Sequence, residues 1–298
     1  MLRRCNCCCA PIARLRRVSP ESICRVEAPF EMSISVLIVS YRVRDLLERC
    51  VASLVGAAQI IVVDNASDDA SAAMVRERFP HVDVLAWTEN RGFAVAVNAA
   101  AARARCDKLL VLNPDTELAP GVLAHMEHAL DEAGEDVWAM GFRQVDRDGA
   151  FQLAIGPDPS LVAELWRMVL QRRLDAGDRW LGRLIDRWLG RARDVSWVGG
   201  SALLVRRQAF VSVGGFDEGF FLYFEDADLC LRLRAAGGRV VYQPSVTLVH
   251  HGGASAAGNR AQARRAYRLS QRRYWQKHRG RCTSVIIDAY QRLRGVAP

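Results

Sequence analysis

The chain has 298 residues, half of them hydrophobic and a quarter charged, with a net charge of +8. This composition excludes an intrinsically disordered chain, and no apolar run approaches the ~20 residues that a membrane-spanning helix requires. The basic excess calls for an anionic partner, which leaves nucleic acid, an acidic membrane surface and a phosphorylated substrate open.

Residues 1–31 show neither helical nor strand periodicity, so they are expected to be disordered or a non-native extension, with Met32 as the alternative start. Of nine cysteines, Cys5, Cys7, Cys8 and Cys9 cluster and the rest are scattered, which is no disulfide framework and points to a reducing cytoplasm. A zinc site at Cys5 and Cys8 lacks a second pair to complete it.

From residue 33 strands and helices alternate. Ile34–Val39 is a continuous aliphatic run, as in a strand buried on both faces. A helix over Arg44–Val55 leads to strand Ile60–Val63, which ends at Asp64-Asn65. Helix Ala70–Phe79, strand Val82–Trp87 and the small-residue helix Gly92–Ala104 follow, then strand Leu109–Leu112, ending at Asn113-Pro114-Asp115. Helix Gly121–Ala133 opens after Pro120. The pattern implies an α/β fold with a mainly parallel, Rossmann-like sheet, whose ligands bind beyond the carboxyl ends of the strands. Asp64 and Asp115 both fall there.

The second half is less regular. Leu161–Arg193 is amphipathic and rich in Trp and Arg, which fits an interfacial helix on anionic lipid; Ala202–Val205 reads as a strand, Glu225–Ala236 as a helix, and Val240–Tyr242 and Thr247–His250 as short strands. Residues 260–281 interleave arginines with Tyr267, Tyr274 and Trp275, which fits a solvated face, a helix lying on anionic lipid, or a nucleic-acid patch without a recognisable nucleic-acid module.

Several positions carry chemistry. Asp64 and Asn65 could accept hydrogen bonds from a nucleobase or ribose, or simply cap the next helix. The turn Asn90-Arg91-Gly92 could bring backbone N–H groups to a ligand. Asp115, stiffened by Pro114, suits a divalent ion neutralising a sugar diphosphate, or a plain turn. In the stretch from Phe220 to Asp228 an aromatic wall runs into three carboxylates, Glu225, Asp226 and Asp228. Acids favour a helix's first turn, yet burial beside rings also makes a carboxylate a better base, and Asp226 is the candidate. His250, ending a strand, is a candidate metal ligand.

Taken in order, VLIVSY (36–41), VVDNASDD (62–69), ENRGFAVAVN (89–98), LLVLNPDTEL (109–118), WVGGSALLVRR (197–207), GGFDEGFFLYFEDADLCLRLRAAG (214–237) and VHHGGAS (249–255) resemble glycosyltransferase family 2, in its rhamnosyltransferase-like branch. The resemblance implies a GT-A domain over 32–257, with a nucleotide-binding half (32–135), an acceptor half (136–257) and a basic, amphipathic helical segment at 258–298. It implies an inverting transferase that binds its nucleotide-sugar donor through Asp64, Asn65, Asn90, Gly92, Asn113 and Asp115. Asp226 would be the base, Asp115 and His250 would hold Mg²⁺ or Mn²⁺, and Trp197, Gly199, Gly200 and Glu225 would border the acceptor. The expected reaction moves L-rhamnose from a dTDP donor to a lipid- or polysaccharide-linked acceptor in cell-envelope glycan synthesis, at the inner face of the membrane and without nucleic acid. A nucleotidyltransferase and a non-catalytic nucleotide-sugar-binding module are the alternatives. Three positions depart from the usual motifs: Arg42 follows Tyr41, Ala94 and Val95 replace glycines, and Asn113 replaces the first acid of Asp-x-Asp.

Overall fold

The computed structural model describes residues 33–157, 160–252 and 260–293. The expectations for residues 1–31, including the cysteine cluster, for residues 253–255 of the last motif and for the domain end at 257 lie outside the described residues. Strands β1 (Ile34–Ser40), β2 (Gln59–Asp64), β3 (Asp83–Ala86) and β4 (Lys108–Leu112) run parallel in the order β3-β2-β1-β4. Helices α1 (Arg44–Ser53), α2 (Ser71–Arg78) and α3 (Phe93–Ala101) connect them. Side-chain alternation decides the two layers of core. Val36 and Ile38 join Leu47 of α1 and Val75 of α2 on one face, while Leu37 and Val39 join Ala96 and Val97 of α3 on the other. Small residues let α3 lie close against β1 and β2.

The sheet continues β11-β6-β12-β5, where β5 is Thr116–Glu117, β6 Val137–Val145, β11 Ala202–Arg206 and β12 Arg239–His250. Helix α4 (Val122–Glu132) joins β5 to β6. Two pairings position the site. Strand β11 is antiparallel to β4, with Ala202 opposite Leu112, so the chain just before β11 arrives at the carboxyl end of β4. Strand β12 ends with His250 opposite Thr116, beside Asp115. The structure joins the two expected strands 240–242 and 247–250 into β12, whose register shifts between Gln243 and Thr247. Pro244 lies in that shift and has no N–H for the ladder, which is why the sequence reads as two pieces.

Short strands β7 (Phe151–Gln152) and β8 (Ile155–Gly156) precede the hairpin of α5 (Leu161–Asp175) and α6 (Arg179–Trp188). Then come β9 (Arg193–Asp194) and β10 (Trp197–Val198), and, beyond β11, α7 (Arg207–Ser212) and α8 (Glu225–Ala235). A last helix, α9 (Arg260–Leu293), is interrupted at Gly280.

Helix α9 corrects one expectation. Its aromatics do not face outward as lipid anchors: Tyr274 and Trp275 are buried, and Tyr267 stacks on Tyr223 and Phe224. What faces solvent is arginine, at Arg264, Arg265, Arg272 and Arg279. Acids in the 217–228 segment hold the helix: Asp217 pairs with Arg273 and Lys277, and Asp228 accepts from His278 at 2.7 Å and pairs with Lys277 at 2.7 Å. Burial would raise the Asp228 carboxyl, but the His278 and Lys277 hydrogen bonds and the Arg232 charge outweigh it and hold it below the usual range. Replacing buried Trp275 with alanine is expected to cost about 3–5 kcal/mol, read as a lower urea midpoint at unchanged slope.

Candidate active site

The loop before α8 delivers Glu225 and Asp226 under strain. Tyr223 (φ 71°) and Phe224 (φ 67°) are consecutive residues in the left-handed region, which side chains other than glycine's disfavour. Contacts from two sides hold them there. On α9, Tyr267 and Tyr274 pack against Phe224, and Ser270 Oγ donates to Leu222 O at 2.8 Å. On the other side Phe93 N donates to Phe221 O at 2.7 Å, a contact close enough that a Cβ on Gly92 would lie 2.7 Å from the same oxygen.

Asp226 Oδ2 accepts from Gly200 N at 3.0 Å, and Oδ1 accepts from Ala227 N at 2.8 Å. These bonds fix the plane of the carboxylate and occupy one of about two acceptor directions on each oxygen. The glycine pair 199–200 follows β10, and the next residue, Ser201, accepts from Asn113 N at 3.0 Å. One short hydrogen-bonded path therefore links Asp226 to the end of β4.

Glu225 is buried, and its Oε2 has no hydrogen-bond partner among the described residues. Burial pushes its carboxyl well above the usual carboxylate range, and the neighbouring Asp226 adds to the rise. Burial thus favours the neutral form of the Glu225 acid. A raised folded-state value favours the fold below the ordinary glutamate range and loses that contribution as pH climbs through the raised value. Glu225→Gln should accordingly match the parent's melting temperature near pH 4 and exceed it increasingly toward pH 8.

Asp115 and His250 meet at the other end of the path. Asp115 Oδ1 is 3.3 Å from His250 Nε2, and Asn113 Nδ2 is 3.3 Å from the same nitrogen. Gln152 Nε2 donates to the His250 carbonyl at 2.8 Å, so Gln152 Oε1, 2.8 Å from Nδ1, must accept. Nδ1 therefore carries a proton and donates to Gln152, and Nε2 faces both the Asn113 amide and the Asp115 carboxylate. Nothing in the sequence marks Gln152, because it sits on a two-residue strand outside every motif.

Two cavities meet here. The larger, about 960 Å³, is lined by Trp197, Gly199, Gly200, Glu225 and Asp226; the smaller, about 270 Å³, by Tyr41, Asn65, Asn90, Gly92 and Asp115. Asn113 and His250 border both. Gly156 makes room for Trp197, since a Cβ there would lie 2.5 Å from the indole, whose Nε1 donates to Pro157 O. Asp64 is buried at the end of β2, accepting from Ser67 N at 3.1 Å, and does not line either cavity itself; its neighbour Asn65 does. The Asn90 turn keeps its amides for the protein: Arg91 N donates to Asn65 Oδ1 and Gly92 N to Asn90 Oδ1. Its contribution to the smaller cavity is thus side chain and shape rather than those N–H groups.

Comparison with known proteins decides the class. Residues 35–176 match the model "Glycosyl transferase family 2", and residues 135–291 match "Glycosyl transferase family group 2". The N-acetylglucosaminyl-diphospho-decaprenol L-rhamnosyltransferase of Mycobacterium tuberculosis is 33% identical over 237 residues, covering 73% of this chain and 76% of that protein. This chain belongs to glycosyltransferase family 2. The rhamnosyltransferase WbbL of Escherichia coli K12 is 53% identical over 57 residues, 19% of this chain and 22% of that one. Among solved structures, the mannosyltransferase PcManGT of Pyrobaculum calidifontis, in complex with GDP-Man and Mn²⁺, superposes with a TM-score of 0.53 at 20% identity. That match covers 79% of this chain but only 62% of PcManGT, and it establishes the GT-A fold.

Family membership makes the chain a glycosyltransferase and sets aside the nucleotidyltransferase and binding-module alternatives. It also gives the paired cavities a chemical sense, because a transferase must hold two substrates with their reacting atoms at a shared boundary. Among the described residues no three His, Cys, Asp or Glu side chains gather at one point; Asp115 and His250, 3.3 Å apart, are the pair at the boundary of the two cavities that could hold a metal ion. Two protein ligands suit a hard divalent ion that takes its remaining ligands from phosphate oxygens and water.

Proposed function

We propose that this glycosyltransferase moves L-rhamnose from dTDP-L-rhamnose to a lipid- or polysaccharide-linked acceptor in cell-envelope glycan synthesis, with inversion, at the inner face of the membrane. The observation that carries the reading is the meeting of the two cavities at Asn113 and His250, with Asp226 on one side and Asp115 on the other. The smaller cavity, at the carboxyl ends of β1, β2 and β4, takes the nucleotide diphosphate, with Asn65 and Asn90 lining it and Asp64 behind. The larger takes the acceptor, with Trp197 as an apolar platform for a sugar ring.

In the transfer, Asp226 takes the proton of the acceptor hydroxyl as its oxygen bonds to the anomeric carbon, and the bond from that carbon to the diphosphate oxygen breaks with its electron pair. Glu225, whose charged form burial disfavours, donates a hydrogen bond to the acceptor from its protonated acid. Asp115 and Nε2 of His250 would hold Mg²⁺ or Mn²⁺, which when bound would neutralise charge on the departing diphosphate. The names of the Mycobacterium and Escherichia relatives support rhamnose as the sugar, and the former supports a polyprenyl diphosphate-linked acceptor.

A panel of nucleotide sugars tests the donor. Thermal stabilisation that needs Mn²⁺ and is largest for dTDP-L-rhamnose is expected; an equal or larger shift with UDP- or GDP-hexoses would remove rhamnose from the reading.

A further inference from the structure

Helix α6 is clamped on one side and bare on the other. Its inner face buries Gly182, the adjoining Leu189 sits in the core, and Asp186 is held by Arg143 through two bonds of 2.7 Å. Its outer face presents Trp180 (67% exposed), Leu184 (50%) and Trp188 (70%), spaced four residues apart and therefore aligned in one stripe. Trp166 on α5 is also exposed, at 63%. Scattered exposed apolar residues are ordinary, but a tryptophan stripe on a helix marks a contact surface.

Charge identifies the partner. From 178 to 193 the sequence carries five arginines and two aspartates, and both aspartates are already paired, Asp178 with Arg173 and Asp186 with Arg143. Arg193 also lies over the Trp188 ring, 4.5 Å from its centroid. An aligned apolar stripe flanked by arginines, without an uncompensated acid, complements anionic headgroups with acyl chains beneath them. No described helix is long and apolar enough to cross a membrane.

We propose that the outer face of α6 docks the enzyme on an anionic lipid bilayer. The inner side of the same hairpin supplies Gln171, Leu174, Gly182 and Arg183 to the wall of the larger cavity. A helix lying in the headgroup layer therefore sets the acceptor cavity at the membrane surface, where a polyprenyl chain stays in the bilayer while its sugar reaches Asp226. This use of the surface rests on the lipid-linked acceptor proposed above.

Flotation of the full chain with vesicles of phosphatidylglycerol and phosphatidylcholine, against phosphatidylcholine alone, tests the docking. Binding only to the anionic vesicles, weakened by salt, is expected, and Trp180→Ala with Trp188→Ala should lower it by about tenfold or more. Brominated lipid should quench parent fluorescence more than that of the Trp180→Phe, Trp188→Phe protein, a readout that keeps the surface intact. Unchanged flotation of the alanine variant would overturn the proposal. So would a lipid-free dimer that the same substitutions dissociate, because the stripe would then serve a second copy of the chain. Donor hydrolysis without vesicles is read separately: its absence from the parent protein counts against the donor chemistry, while its loss in the variants alone would show that the stripe serves folding and overturn the docking face.

Discussion

Asp226→Asn is expected to lower kcat by about 10²–10⁴-fold while leaving donor affinity close to that of the parent. The asparagine amide has no basic site for the acceptor proton, and Asp226 lines only the larger cavity, so the donor side stays intact. Glu225→Gln supplies the contrast. A primary amide has the shape of the protonated acid and can donate the same hydrogen bond, so turnover should stay within about tenfold of the parent. Single-turnover rates for the two variants, alongside donor binding by calorimetry, separate the roles. If Glu225→Gln were the inactive variant and Asp226→Asn the active one, the base would be Glu225.

Asp115→Ala should reduce kcat/KM by about 10³-fold, because the leaving diphosphate loses several kcal/mol of charge stabilisation. The loss should be accompanied by weaker Mn²⁺ binding in the presence of donor, measured by the paramagnetic resonance signal of free Mn²⁺. Gln152→Ala touches the same point indirectly. Without its acceptor on Nδ1, His250 no longer has a fixed tautomer, and Mn²⁺ affinity should fall about 10–100-fold with Asp115 still in place. An Asp115→Ala enzyme that kept full metal-dependent activity would place the ion elsewhere.

The nucleotide-binding half was legible because its physics is local. Doubly buried parallel strands read as aliphatic runs, and their ends put Asp64 and Asn113–Asp115 at the same sheet edge. Strand β6 was not legible: Gly141, Arg143 and Gln144 interrupt its apolar pattern, and its pairing with β11 and β12 is entirely non-local. The acidic stretch was half legible. Its aromatic lead-in pointed to a site at 225–226, but nothing local showed that Asp217 and Asp228 would be spent on anchoring α9. That division depends on a helix more than thirty residues downstream. The same distance hid the inward turn of Tyr274 and Trp275, whose spacing among arginines is equally that of a lipid-facing helix.

The most direct measurement is the fate of both substrates in one reaction, followed by phosphorus and carbon nuclear magnetic resonance with the nucleotide-sugar donor and a prenyl-diphosphate sugar acceptor. A single displacement driven by one carboxylate releases a nucleoside diphosphate and gives a glycoside of inverted anomeric configuration. Retained configuration would require a second nucleophile that Asp226 alone does not provide, and would contradict the account.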